Sequence, residues 1–185
     1  MRQAAQKIEN LAVLSSQQTT NPTTTTQTLQ WNAPPANVYK VNWDSAVDKV
    51  NCKVGVGTII RDWEGRVIAC MRMCKPLFPN PYLAEAFGAL HSAKLAIDIG
   101  LKQIKLEGDA MNVINDIKGN KASWKQTGLI INDIKQVLRG FDSFSIDFTP
   151  RSCNNLAHCL ARNALNITDV LVDIEDIPSC IASLL

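Results

Sequence analysis

Large apolar and polar residues alternate from Tyr39 to Asp44, with Tyr39, Val41 and Trp43 set against Lys40, Asn42 and Asp44. A period of two is the mark of a β-strand with one apolar face. The pattern predicts a strand that opens the folded part near Val38 and gives way to a small-residue turn after Asp44. A second strand is predicted from Val54 to Arg61, where Gly55 and Gly57 mark a close approach of another element or a bulge. Asp62-Trp63-Glu64-Gly65 reads as a turn, with Gly65 suited to positive φ. Arg66 to Cys74 completes an antiparallel meander of three strands.

The period then lengthens. After Pro76 and Pro79, Asn80-Pro81 supplies a capping side chain and a proline at the first helical position. Leu83, Phe87, Leu90 and Ile97 follow at helical spacing, and Gly100 ends the run. Lys102 to Glu107 predicts a short strand. Asp109 follows at once, placed to cap a second helix whose apolar face is Val113, Ile114 and Ile117. A third helix is predicted from Thr127 to Arg139, with Ile130, Ile134, Val137 and Leu138 inward. Ser143 to Thr149 alternates as a strand. Asn154 or Asn155 then caps a last helix carrying Leu156, Leu160, Ala161, Ala164 and Leu165 on one side. The order βββαβααβα predicts an α/β fold built on a five-stranded mixed sheet with helices on both faces.

Composition divides the 185 residues into three parts. Residues 1–36 include a run, Gln18 to Thr28, of almost pure Gln, Thr, Asn and Pro. Such a segment buries too little apolar surface to fold, so a disordered arm, dispensable for folding, is expected. Residues 37–166 carry the periodic pattern. Residues 167–185 are a tail with Pro178 and a final apolar Ile181-Ala182-Ser183-Leu184-Leu185, suited to docking on the domain or to continuing into further chain.

The net charge of +2 excludes a strongly basic nucleic-acid binder of the usual kind. Any nucleic acid must be gripped locally. Lys118, Lys121 and Lys125 with Trp124 form one modest basic patch, which also reads as a solvated connector. Six cysteines without a CxxC pair, and only two histidines, argue against zinc and for reduced, mostly buried thiols. No apolar run approaches 18 residues, so no membrane span is expected. The expectation is a monomeric intracellular protein, cytoplasmic or nuclear. The acid-poor arm has only Arg2 and Lys7 as basic residues, so organelle import is not expected.

Asp44 closes the first strand, Asp109 follows the fourth, and Glu85 lies early in the first helix among Ala84, Ala86 and Ala89. Carboxylates at two strand ends and on a helix laid over the sheet form one anionic cluster if the fold brings them together. Such a cluster repels itself unless a cation sits in it. An all-oxygen donor set favours Mg²⁺ or Mn²⁺ over Zn²⁺. From spacing alone the plainer reading also stands: Asp109 as a helix cap, Glu85 as a surface acid.

Five motifs occur in order: Lys40-Val41-Asn42-Trp43-Asp44; Gly55-x-Gly57-x-Ile59-Ile60-Arg61-Asp62-x-x-Gly65; Ala84-Glu85-Ala86-x-x-Ala89-Leu90; Glu107-Gly108-Asp109-Ala110; and Arg151-x-x-Asn154-x-x-Ala157-His158-x-Leu160-Ala161. The set resembles the ribonuclease H-like domain of plant retroelement-related proteins, across residues 38–166. The resemblance implies a ribonuclease H-like fold and hydrolysis of the RNA strand of RNA–DNA hybrids with two divalent ions, Mg²⁺ or Mn²⁺, per site. It implies that Asp44 bridges both ions, that Glu85 and Asp109 hold the ion facing the leaving group, and that His158 takes the place of the family's fourth acid. A neutral imidazole there removes one negative charge and weakens the hold on Mg²⁺. Ser45 replaces a frequent Gly, Ala110 a frequent Ser, and Thr149 a frequent His. Three functions follow for testing: a nuclease, a nucleic-acid-binding module with impaired chemistry, and a purely structural domain.

Overall fold

The computed structural model describes residues 30–119 and 126–185. In chain order the elements are β1 (Tyr39–Asp48), β2 (Lys53–Arg61), β3 (Val67–Pro76), α1 (Pro81–Asp98), β4 (Gln103–Gly108), α2 (Met111–Lys118), α3 (Gln126–Leu138), β5 (Ser143–Phe148), a single 3₁₀ turn (Arg151–Cys153), α4 (Asn155–Ala164) and β6 (Val170–Ile174). They build one mixed sheet of order β5-β4-β1-β2-β3-β6. The meander β1-β2-β3 is antiparallel, β4 runs parallel to β1, and β5 runs parallel to β4.

The sheet has six strands, not five. The extra one, β6, comes from the tail and pairs antiparallel with β3, from Ala69↔Ile174 to Met73↔Val170. Val170-Leu171-Val172-Asp173-Ile174 has the β-branched content of a strand, but the run is short and its company of turn-forming residues hides it.

A second difference concerns Asp44. The first strand does not stop there: Ser45, Ala46 and Val47 go on pairing with Val56, Gly55 and Val54. What stops, at Asn42↔Glu107, is the pairing of β1 with β4. Asp44 therefore lies just beyond the carboxyl end of the parallel half of the sheet, where ligands gather in open α/β folds.

Helices cover both faces. Val41, Trp43, Val56, Met71 and Leu106 belong to the larger core beneath α1, α2 and α3. On the opposite face, Leu156, Ala157 and Leu160 of α4 pack against Ile59 and Cys70, together with Ile181 of the tail, which is fully buried. The glycines of β2 explain how close α4 comes. A Cβ on Gly57 would lie 2.2 Å from Ala161 N and 2.3 Å from Ala157 O, so helix backbone rests directly on strand backbone. The irregularity in this hairpin falls elsewhere, at Ile60/Arg61.

Local signals hold in α1, where Asn80 Oδ1 accepts from Leu83 N–H at 3.0 Å and Pro81 is the first helical residue. Gly65 has φ +83°, as its turn requires. In α3 the inward face is Ile131, Ile134 and Leu138; Ile130 and Val137 are only half-buried. All six cysteines are free, but against the expectation of mostly buried thiols only Cys70 and Cys74 are buried, while Cys153, Cys159 and Cys180 are half-buried and Cys52 is exposed.

At the amino-terminal side, the Trp31 ring lies 3.7 Å from the Arg61 guanidinium, and its Nε1–H donates to Asn42 Oδ1. Lys40 Nζ donates to the Asn32 carbonyl at 2.6 Å. Residues 31 and 32 thus pack on the domain. The rest of the arm up to residue 29, and Lys121, Trp124 and Lys125 of the basic patch, lie outside the described residues. Among the described residues, no helix is long and apolar enough to cross a membrane.

Candidate active site

Four elements converge where β1 outruns β4. Asp44 comes from β1, Asp109 directly follows β4, Glu85 comes from α1 on one face, and His158 from α4 on the other. Small residues make the convergence possible. Ala84, Ala86 and Ala89 are fully buried, and a Cβ on Gly88 would meet Ser45 Oγ at 2.9 Å and the Trp43 ring at 3.2 Å. Ser45 Oγ donates to the Ala84 carbonyl at 2.9 Å, fixing α1 to β1 beside Glu85. On the other face, Asn154 Nδ2 donates to the Trp43 carbonyl at 2.8 Å, fixing the start of α4 one residue before Asp44. That bond uses the Asn154 side chain, so although Asn154 holds the N-cap position of α4, it makes no side-chain cap. Nor does Asp109 cap α2: Ala110 occupies that position, which leaves the Asp109 carboxylate for the cluster.

One side-chain oxygen from each of Asp44, Glu85 and Asp109 lies within 4.8 Å of the others. Asp44 is only 2 % exposed, and Glu85 Oε2 is buried with no hydrogen-bond partner. Burial, and then the neighbouring Asp44 and Asp109, push the Glu85 carboxyl up to about 9. Burial and Asp44 also raise Asp109, against the pull of Arg151. Without a cation these surroundings favour the protonated form of Glu85, which relieves part of the repulsion that a cation would otherwise relieve. The orphaned Glu85 oxygen and the all-carboxylate donor set fit a hard divalent cation.

His158 stands at the border of this group. Its Nδ1 lies 2.6 Å from Asp44 Oδ2, and the side chain is half-buried. Arg151 reaches over both: one guanidinium nitrogen lies 3.1 Å from the imidazole nitrogens, the other 3.8 Å from Asp109 Oδ2. The tautomer that satisfies these contacts donates Nδ1–H to Asp44 and accepts the arginine N–H at Nε2.

The polar face of β1 is buried too, which its alternation does not announce. Lys40 Nζ sits 3.1 Å from Glu107 Oε1, Asn42 Nδ2 donates to Glu107 Oε2 at 3.4 Å, and Arg61 Nη2 donates to Asn42 Oδ1 at 3.2 Å. Burial lowers Lys40 and takes Arg61 down to about 10. This network holds the strand directly upstream of Asp44. Its members lie in the quoted motifs, but no spacing rule assigns them to each other.

Comparison with known proteins agrees with this architecture. No curated protein matches the chain by sequence. Among solved structures, the ribonuclease H1 of the halophilic archaeon Halobacterium salinarum is 25% identical, with a TM-score of 0.64 over 70% of this chain and 98% of that one. The N-terminal ribonuclease H domain of a Mycobacterium tuberculosis protein is 18% identical, with a TM-score of 0.62 over 70% and 94%. LC11-RNase H1, isolated from compost and solved in complex with an RNA/DNA hybrid, is 13% identical, with a TM-score of 0.58 over 70% and 96%. The last two likenesses speak to fold alone. The sequence itself matches the reverse transcriptase-like family over residues 42–164, and the chain belongs to that family as a ribonuclease H-like domain.

Proposed function

We propose that this chain is a metal-dependent nuclease of the ribonuclease H type that hydrolyses the RNA strand of RNA–DNA hybrids. The observation that carries the reading is the meeting of Asp44, Glu85 and Asp109 within 4.8 Å, with one Glu85 oxygen buried and unpartnered. The hybrid bound by LC11-RNase H1 supports the substrate class. In this reading the three carboxylates hold Mg²⁺ or Mn²⁺, two ions per site, with His158 beside Asp44. Bound cations of this kind stabilise charge on the phosphoryl group and supply hydroxide at neutral pH. The protein's part is to present the ligands. Glu85 releases its proton when it becomes a ligand, His158 orients the Asp44 carboxylate, and Ser45 and Asn154 hold α1 and α4 at their approach to β1. The domain works as a monomer on nucleic acid.

A second reading is a hybrid-binding module with impaired chemistry. The His158–Asp44 hydrogen bond favours it, because that contact engages the central carboxylate and stands where a fourth acid would be. The two separate on a hybrid labelled in its RNA strand, incubated with Mg²⁺, Mn²⁺ or chelator. Cleavage that chelator stops supports the nuclease. Retention of the hybrid with no cleavage in either metal leaves the binding module.

A further inference from the structure

Resting on the metal-site reading above, we infer that Arg151 is a resident counter-cation of the carboxylate cluster, one that a divalent ion must displace.

Arg151 opens the 3₁₀ turn between β5 and α4, and its guanidinium reaches two members of the site at once. Nη1 lies 3.8 Å from Asp109 Oδ2, and Nη2 lies 3.1 Å from the imidazole of His158, which itself bonds Asp44 at 2.6 Å. The contacts run Asp109–Arg151–His158–Asp44 and close the rim of the cluster from the α4 side. Elsewhere in the fold the buried acids have their own partners: Glu107 has Lys40 and Lys105, and Asp62 has Arg66. Among the described residues, Arg151 is the cation in ion-pair range of Asp109.

A divalent ion bound by Asp109 would stand within a few ångströms of that guanidinium, and the two positive charges repel. The Arg151 side chain is 64% exposed, so it can swing into solvent without breaking the core. Leaving costs little, since exposed pairs of this kind are weak. Metal-free, the arginine offsets part of a charge that would otherwise repel a phosphate backbone. Metal-loaded, its fork is released at the rim, free for other anions.

The test is Mn²⁺ titration of the full chain, followed calorimetrically and by thermal melting, for the parent, Arg151→Gln and Arg151→Lys. Removing the charge should tighten Mn²⁺ binding roughly two- to fivefold, the worth of an exposed ion pair, and slightly lower the melting temperature in chelator, with Mn²⁺ restoring it. The lysine variant should stay near the parent. Equal or weaker Mn²⁺ affinity in Arg151→Gln overturns the inference while leaving the metal site intact. If the parent binds no Mn²⁺, the metal-site reading falls, and this inference with it.

Discussion

At the scale of single residues, the 2.6 Å contact from His158 to Asp44 Oδ2 sets the character of the site. Replacing the ring by a carboxylate puts a fourth acid beside Asp44. His158→Asp should bind Mg²⁺ roughly tenfold more tightly and melt at a lower temperature in chelator, as a like charge is added to the cluster. Under the proposed nuclease reading, His158→Ala should reduce turnover far more than hybrid affinity, since the ring contacts Asp44 of the carboxylate cluster. Cleavage at the parental rate by His158→Ala would make the imidazole a bystander. Glu85 gives a pH signature. Its folded-state value of about 9 stands above the 4.5 of a free glutamate, because of burial and the two aspartates. The folded state holds a proton that the unfolded chain has released, so the Glu85 contribution to stability is full below about pH 4.5 and is lost as pH rises towards 9. In chelator the melting temperature should decline across that window, and Glu85→Gln should flatten the decline; a flat parental profile counts against a buried, proton-holding Glu85. The three acids and His158 were legible as residues because they sit in ordered motifs. Arg151 shared a motif yet drew no role, since a surface arginine in a turn resembles any other until its neighbours are known.

At the scale of elements, periodicity announces the four α-helices of the described residues and five of the six strands, and it fails where tertiary context overrides pattern. Lys40, Asn42 and Asp44 alternate with the apolar face, but β1 is central and covered on both sides, so all three are buried, Lys40 and Asn42 sharing Glu107 and Asp44 bonding His158. Ser45 and Ala46 look like a turn, yet the partner strand β2 carries them on as sheet. Asp109 matches a cap by position, and repulsion within the cluster did not deter the fold from placing it there. The glycine signal in β2 was correct and has a measurable consequence. Gly57→Ala would drive a methyl into the α4 backbone at 2.2–2.3 Å, which no rotamer change relieves. The helix must shift outward, at a cost of about 1–3 kcal/mol or more. Because α4 carries His158, the hydrogen bond to Asp44 should break as well. Expected are a lowered melting temperature and, at temperatures where the variant is still folded, an altered imidazole resonance by NMR. An unchanged His158 environment would mean that α4 is not positioned through Gly57.

At the scale of the whole molecule, the family match ends at residue 164, while packing runs past it on both sides. Ile181, fully buried, completes the core between α4 and the sheet with Ile59, Cys70, Leu156 and Leu160. β6 extends the sheet beyond β3, and Arg72 Nη2 ties it down through Asp173 Oδ2 at 3.0 Å. Trp31 and Leu184 line one small cavity with Arg61 and Leu156, so the amino-terminal edge and the tail come together over the start of α4. The domain suggested by composition, residues 37–166, therefore omits three packing elements. We propose 30–185 as the cooperative unit. Removing residues 1–29, whose Thr/Gln-rich run has little to bury, should leave the melting temperature unchanged within about 1 °C. Removing residues 1–36 should lower it by a few degrees, through loss of the Trp31 stack on Arg61 and its bond to Asn42. Ile181→Ala should cost about 2–5 kcal/mol, or roughly 5–15 °C for a chain of this size. Cutting at residue 166 should exceed that, since it strips β6 from the edge of β3 and opens the core under α4 to water. Because that core also sets where α4 lies, the cut should disturb the site at a distance of several elements. If the 37–166 fragment melts with the full chain, the tail is an appendage, and the boundaries read from composition alone are the right ones.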